Sequence, residues 1–173
     1  SGLGKAIAQS LVSEGAKVII TDIQIDLGHS TAEELNCDFL QQDVTNENQW
    51  NRIIDQVEEK YDALHILVNN AGIVGPLDAT NPENTPFDVW KQIQSINVDG
   101  VFLGCRAAIP AIRRADGGSI INISSVAALT ATPYATAYGV SKAAVRHLTK
   151  SVAQHCAEIG SNIRCNSIHP GDV

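Results

Sequence analysis

The sequence predicts an α/β fold, a doubly wound parallel sheet with helices on both faces. Three observations carry this expectation. Short apolar runs rich in Val and Ile alternate with longer helical stretches along all 173 residues. The runs are apolar at successive positions, which suits strands buried on both faces rather than one-sided strands that alternate. The chain also opens on Gly2-Leu-Gly4 running directly into a helical stretch, the arrangement such sheets place before a helix amino terminus.

Taken in order, residues 4–14 read as a helix that stops at Gly15. Lys17-Val-Ile-Ile-Thr-Asp22 is a β-branched strand ending in an acid, and Phe39-Leu-Gln-Gln-Asp-Val44 is a weaker one. Asp43-Val-Thr45 followed by Asn46 offers a start for a helix over residues 47–60. Residues 65–72 and 119–125 form stronger strand patterns, separated by a helical stretch over 85–115 that contains a break. A last helix over 138–159 stops at Gly160, and residues 162–169 close the series as a strand. No internal repeat, low-complexity segment or linker interrupts this rhythm, so residues 1–173 read as a single dinucleotide-binding catalytic domain. The ends depart from the pattern. A dinucleotide-binding unit feeds its glycine turn from a central strand, and no strand pattern precedes Ser1. The chain is therefore expected to be a fragment, incomplete at both ends, whose isolated polypeptide folds poorly because the flanking strands keep unpaired edges.

Composition narrows the function classes. With 44% hydrophobic and 18% charged residues, the chain suits a soluble globular protein with a real core. No continuous apolar run reaches membrane length, and the amino terminus lacks the charged-then-apolar order of a signal peptide. Four cysteines without a Cys-x-x-Cys pair, and five histidines without ligand spacing, argue against a disulfide frame or a metal site. A net charge of −7 argues against nucleic acid as a partner. The expectation is a cytoplasmic protein that binds no membrane.

The most informative spacing is Tyr138-Gly-Val-Ser-Lys142, thirteen residues after Ser125. Residues i and i+4 on a helix share a face one turn apart. An ammonium there stabilises the phenolate, which makes Tyr138 a candidate general acid/base. Ser125, at the end of an apolar strand, could reach the same point from the sheet. Taken alone the pair would more commonly be packing plus a solvated lysine, and only the rest of the chain reverses that reading. Gly2 and Gly4 form the tail of a glycine-rich turn, where a backbone without side chains can approach a pyrophosphate. Asp22 follows Gly4 by eighteen residues at a strand's carboxyl end. An acid in that register accepts from an adenosine ribose and repels a 2′-phosphate, favouring NAD over NADP. The plainer role for Asp22 is to cap the next helix.

Ser1-Gly-Leu-Gly4, Asp43-Val44, Asn69-Asn-Ala-Gly72, Asn97, Ser125, Tyr138-x-x-x-Lys142 and Pro170-Gly171 occur in one order and spacing. In these motifs the chain resembles the short-chain dehydrogenase/reductase family along its whole length. The resemblance implies a Rossmann-like sheet and NAD(P)-dependent oxidation or reduction at CH–OH groups. It implies that Tyr138 exchanges the proton with the substrate oxygen, and that Lys142 favours the phenolate and hydrogen-bonds the nicotinamide ribose. Ser125 would hold the substrate oxygen, and Asn97 would bind a water linking Lys142 to solvent. Asn97 could equally satisfy backbone groups at a helix kink. On the cofactor side the resemblance assigns Ser1, Gly2, Leu3 and Gly4 to the phosphate turn, and Asp43 and Val44 to the adenine. Asn70, Ala71 and Gly72 would share cofactor contact with a role in the sheet, and Pro170 and Gly171 would line the nicotinamide. The family's first glycine with its preceding threonine, and the segment after Pro170-Gly171 that closes over substrate, are not in the sequence.

The loops over residues 74–86 and 126–137 carry Leu77, Leu129, Pro133 and Tyr134 and no basic cluster. They point to an uncharged, fairly apolar secondary alcohol or ketone as substrate, and the run over 162–170, which looks similar to that of hydroxysteroid and alicyclic alcohol dehydrogenases, implies a cyclic or steroid-like one. His169, beside Pro170, reads as a strand-end structural residue. Two alternatives remain open: a 3-oxoacyl-thioester reductase of the same family, and a non-catalytic dinucleotide-binding regulator. The family also implies a homodimer or homotetramer through helices near 97–115 and 138–159, whose small residues (Ala107, Ala108, Ala143, Ala144) allow close approach but would serve packing on the sheet equally well.

Overall fold

The computed structural model describes residues 2–76 and 81–171. Ser1 and Leu77, both singled out by the sequence, lie outside the described residues. The chain alternates helix and strand: α1 (Gly2–Ser13), β1 (Ile19–Asp22), α2 (Ile25–Leu35), β2 (Asp38–Gln41), α3 (Glu47–Tyr61), β3 (Ile66–Asn69), α4 (Phe87–Gln94), a π-helical turn (Ser95–Asp99), α5 (Gly100–Arg114), β4 (Gly118–Ile123), a 3₁₀ turn (Val126–Ala128), α6 (Thr136–Glu158) and β5 (Ile163–Ile168). Every ladder is parallel. β1 pairs with β2, and β4 lies between β3 and β5 with Asn69 opposite Asn122 and Ile123 opposite Ile168. No ladder joins β1 to β3 among the described residues. A doubly wound 3-2-1-4-5-6 order puts one more strand in that position. Ile66 of β3 is 41% exposed.

Local chemistry explains the boundaries. The Asn46 side chain accepts from the Gln49 N–H at 3.1 Å and starts α3. Trp50, Ile53, Ile54 and Val57 then fall on one buried stripe, and Asp62 closes the helix in the left-handed conformation at φ 64°. The break expected within 85–115 is the π-helical turn, which offsets α4 from α5. The five strands are one to four residues shorter than the strand patterns expected over 17–22, 39–44, 65–72, 119–125 and 162–169. The sequence pattern gave no helix over residues 25–35, where Gly28, His29, Ser30 and Thr31 are weak helix formers. The structure forms α2 there, burying Gly28, Thr31, Ala32 and Leu35 at helical spacing. A Cβ on Gly28 would come within 2.1 Å of the Phe39 ring, so the helix keeps a poor helix former to dock on β2.

The largest core lies under β3–β5, where Val101, Ala108 and Ile112 of α5 and Val145 and Val152 of α6 pack on Ile120 and Ile163. Each such aliphatic side chain contributes about 1.5–3 kcal/mol of hydrophobic stabilisation. By length and composition residues Phe87–Arg114 could cross a membrane, but Ile93, Val101, Cys105, Ala108, Ala111 and Ile112 on that stretch are core residues. A polar chain runs through the same core. Asn69 Nδ2 donates to Asn122 Oδ1 at 2.8 Å, and Asn122 Nδ2 donates to Thr149 Oγ1 at 3.0 Å. Thr149 in turn donates to the Val145 carbonyl at 2.8 Å. The three side chains tie β3, β4 and α6 together with every partner satisfied, as a buried network requires.

Candidate active site

The strand ends and the start of α1 bring most of the predicted residues to one edge of the fold. Gly2 begins α1 at φ 52°, with nothing within 4 Å of where a Cβ would stand. Gly4 lies against the end of β3: a Cβ there would be 2.6 Å from Asn70 Nδ2. The glycine turn therefore meets the Asn69–Gly72 segment, and Leu3 between the glycines is half-buried. The start of α1 turns free backbone N–H groups toward this place, the usual seat of an anion.

Asp22 sits at the carboxyl end of β1. Its Oδ1 accepts from the Gln24 N–H at 2.9 Å in a turn just ahead of α2, whose N-cap is Gln24 without a side-chain bond, so Asp22 does not cap the helix itself, and no bond from the described residues reaches Oδ2. Asp43, after β2, divides its carboxylate in the same way. Oδ1 accepts from Thr45 N (2.9 Å) and Thr45 Oγ1 (2.7 Å), while the Asp43 N–H donates to Gln49 Oε1 at 2.7 Å. The Val44 carbonyl accepts from Trp50 Nε1 at 2.8 Å, and its side chain lies where a Cβ on Gly100 would intrude at 2.9 Å. Val44 is thus anchored to α5 as well as placed beside Asp43.

The catalytic candidates converge between β3, β4 and α6. Lys142 is 4% exposed, and its Nζ donates to the Ile123 carbonyl at 2.8 Å. Burial penalises the ammonium and pulls its pKa down to about 8. Nζ lies 5.6 Å from the centre of the half-buried Tyr138 ring, one helical turn away. An ammonium has three donors, and only one finds an acceptor among the described residues. Gly72 leaves the opening through which the others can be reached: a Cβ there would stand 3.2 Å from both Lys142 Nζ and Asn97 Oδ1.

Asn97 is fully buried in the π-helical turn, and its carboxamide is committed. Oδ1 accepts from the Ile73 N–H (2.8 Å), and Nδ2 donates to the Ile73 carbonyl (2.9 Å) and to Ser141 Oγ (2.9 Å). The backbone-satisfying role foreseen for this residue is present, and the amide protons are not available to a water. Ser125 follows β4 in extended conformation. Its Oγ accepts from the Ala127 N–H at 3.1 Å, which leaves the hydroxyl proton free to be donated. Ala71 and Gly72 are exposed beyond β3, and Pro170 and Gly171 follow β5, where the Pro170 carbonyl accepts from the Val126 N–H at 3.0 Å.

Three neighbours of this cluster escaped the sequence reading. Ser141, between Tyr138 and Lys142, is fully buried and donates to the Tyr138 carbonyl at 2.7 Å while receiving Asn97 Nδ2. Ser124 donates from Oγ to the Lys142 carbonyl at 2.8 Å. Ile73 holds Asn97 by backbone alone, and no side-chain signal could have marked it. Ser141 was legible in principle, since i and i+3 share a helix face with the lysine next to it. Among the described residues no group of three or more His, Cys, Asp or Glu could hold a metal ion.

A family model described as enoyl-(acyl carrier protein) reductase matches residues 1–173. A cyclopentanol dehydrogenase of Comamonas sp. (strain NCIMB 9872) is 42% identical over 177 residues, covering 99% of this chain and 69% of its own length. A 3-alpha-(or 20-beta)-hydroxysteroid dehydrogenase of Mycobacterium tuberculosis is 42% identical, with 99% and 65% covered. An NADP-dependent (R)-specific alcohol dehydrogenase of Lentilactobacillus kefiri is 38% identical, with 99% and 69% covered. Among solved structures, a short chain dehydrogenase from Mycobacterium smegmatis superposes with a TM-score of 0.92 at 29% identity, covering 99% of this chain and 72% of that one. The chain belongs to the short-chain dehydrogenase/reductase family and is an NAD(P)-dependent oxidoreductase that interconverts alcohols and ketones.

Proposed function

We propose that the chain uses NAD to interconvert an uncharged, cyclic or steroid-like secondary alcohol and its ketone, with Tyr138 as the proton-transferring group. The observation that carries this reading is the buried Lys142 ammonium, held by the Ile123 carbonyl against the Tyr138 ring with two donors to spare. A bound nicotinamide dinucleotide supplies the hydride acceptor or donor. The residues present fit it. The glycine turn at Gly2 and Gly4 suits a pyrophosphate, the spare Lys142 donors suit ribose hydroxyls, and Asp43 and Val44 border the adenine side. In oxidation Tyr138 takes the alcohol proton on its phenolate oxygen, and in reduction it returns that proton to the ketone oxygen. Lys142 favours the phenolate through its charge, and the Ser125 hydroxyl donates a hydrogen bond to the substrate oxygen in either direction, keeping its own proton.

Asp22 supports NAD, since Oδ2 is open to a ribose hydroxyl and the carboxylate repels a 2′-phosphate. The relatives named for cyclopentanol and hydroxysteroids support the substrate class, as does the uncharged loop over residues 126–137 with Leu129 56% and Tyr134 77% exposed. An acyl-thioester reductase reading is favoured by the description of the family model alone. The same proposal takes the protein as cytoplasmic, in keeping with four free cysteines of which three are buried. It also takes the protein as a homodimer or homotetramer. Phe102 and Val140 expose apolar surface on α5 and α6, whereas Ala108 is spent in the core.

Nicotinamide absorbance during turnover tests the reading, comparing NAD with NADP over a panel of cyclic secondary alcohols. NAD-linked oxidation is expected, and Tyr138→Phe should abolish it while leaving NADH binding unchanged. Turnover confined to NADPH and 3-oxoacyl thioesters would overturn it, as would near-normal turnover by the Tyr138→Phe variant.

A further inference from the structure

His169 lies one residue beyond β5, half-buried, and its ring is bonded on both sides. Nδ1 is 3.1 Å from the carbonyl oxygen of Ser125, and Nε2 is 2.9 Å from Ser167 Oγ. A carbonyl oxygen can only accept, so Nδ1 must carry the proton. In the neutral ring Nε2 then accepts from the Ser167 hydroxyl, which fixes the tautomer. Around this ring the two strand ends are stitched together. The Ser124 N–H donates to the Ile168 carbonyl at 2.8 Å, and the Val126 N–H donates to the Pro170 carbonyl at 3.0 Å. Pro170 has no N–H to return to the Ser124 carbonyl, and the imidazole adds a donor from the β5 end to the next carbonyl, that of Ser125. The peptide between Ser125 and Val126 is therefore held at both poles, its N–H by Pro170 and its carbonyl by His169 from the β5 end and by the Ala128 N–H (3.0 Å) within the 3₁₀ turn.

We propose that His169 is a positioning residue for the reaction: by clamping the Ser125 carbonyl it sets the direction in which the Ser125 hydroxyl is presented to the substrate oxygen. Among the described residues the Ser125 side chain has one bond, accepted from the Ala127 N–H at 3.1 Å, and that bond turns with the same peptide. With the His169 bond lost, the Ser125 carbonyl keeps the Ala128 N–H of its own 3₁₀ turn, so the turn is tied to the end of β5 through the Val126 N–H and can pivot about that bond, carrying Oγ with it. Misplacement on the ångström scale at a reacting group costs on the order of 100-fold in rate. Ser167 is part of the device because it keeps the proton on Nδ1. This assignment rests on the proposed role of Ser125.

The test compares His169→Phe, which keeps ring bulk and loses both bonds, with His169→Asn, whose amide can still donate to the Ser125 carbonyl. Both are assayed with NAD and cyclopentanol as the probe, alongside NADH binding and the ¹⁵N spectrum of the wild-type imidazole. His169→Phe is expected to lower kcat by about 10- to 100-fold with NADH affinity unchanged, and His169→Asn to recover most of that loss. The spectrum should show a proton on Nδ1. A ring protonated on Nε2 alone, a kcat for His169→Phe within twofold of wild type, or a His169→Asn variant as impaired as His169→Phe would overturn the proposal. If wild type itself does not oxidise any cyclic alcohol, the functional reading fails, and the tautomer in the spectrum still decides whether the clamp exists.

Discussion

Replacing Lys142 by methionine separates what the buried ammonium does for the reaction from what it does to the fold. Burial brings its pKa from 10.5 to about 8. At about 1.36 kcal/mol per pKa unit, the charged form costs the folded state about 3 kcal/mol. Methionine keeps the stem and removes the charge, but it leaves the Ile123 carbonyl without its 2.8 Å donor, a loss of about 1–3 kcal/mol. At pH 7 the variant should therefore equal or exceed wild type in stability, by about 0–2 kcal/mol, while losing turnover. The sign reverses with pH. Below about 8 both folded and unfolded wild type hold the proton, and the full burial cost is present. Between about 8 and 10.5 the folded state releases the proton while the unfolded state keeps it, so wild-type stability rises with pH relative to the variant. By pH 10.5 the variant should be the less stable by about 1–3 kcal/mol, which is the missing hydrogen bond alone. Urea unfolding of the cofactor-free proteins at pH 7, 8, 9 and 10.5, followed by circular dichroism, reads the difference, and groups common to both proteins cancel. A gap that stays constant across this range would show that Lys142 is not held charged in a desolvated site.

Two further outcomes follow from the same coordinates. Asn97→Asp places a carboxylate oxygen against the Ile73 carbonyl in a fully buried position. It should lower the free energy of unfolding by about 3–5 kcal/mol at pH 7, and a midpoint unchanged in urea would contradict the bonding described for Asn97. Gly118→Ala drives a Cβ to 2.0 Å from the His65 carbonyl oxygen, which is backbone and cannot turn away. Gly15→Ala, at φ 84°, meets nothing within 4 Å and pays only the left-handed strain. Thermal unfolding should rank Gly118→Ala below Gly15→Ala, the first costing about 3 kcal/mol or more and the second about 1–2 kcal/mol. Equal melting temperatures would refute the close approach of β4 to His65.

Much of the fold could be read from spacing alone, because helices and buried strands impress their periods on neighbouring residues. Trp50, Ile53, Ile54 and Val57 mark α3, and Asn46 marks its start. Helix α2 was not legible, since what holds Gly28, His29, Ser30 and Thr31 in a helix is the Phe39 ring of β2 filling the space a side chain at 28 would need. Strand lengths were overestimated because a ladder ends where its partner strand ends, which the residues beyond β2 (Gln42, Asp43) and β3 (Asn70 to Gly72) do not record.

The sequence by itself determined the α/β alternation, the family, and the residues from Gly2 to Gly171 that line one edge of the sheet. Tyr138 and Lys142 were legible as a pair because a helix fixes the geometry of residues four apart. Only the tertiary structure decided how those residues are held. The Asn97 carboxamide is spent on Ile73 and Ser141, the ammonium of Lys142 rests on Ile123, and the carbonyl of Ser125 is gripped from forty-four residues away by His169. Bonds of this kind join segments distant in the chain, and their existence depends on strand register and helix docking, which no local period records.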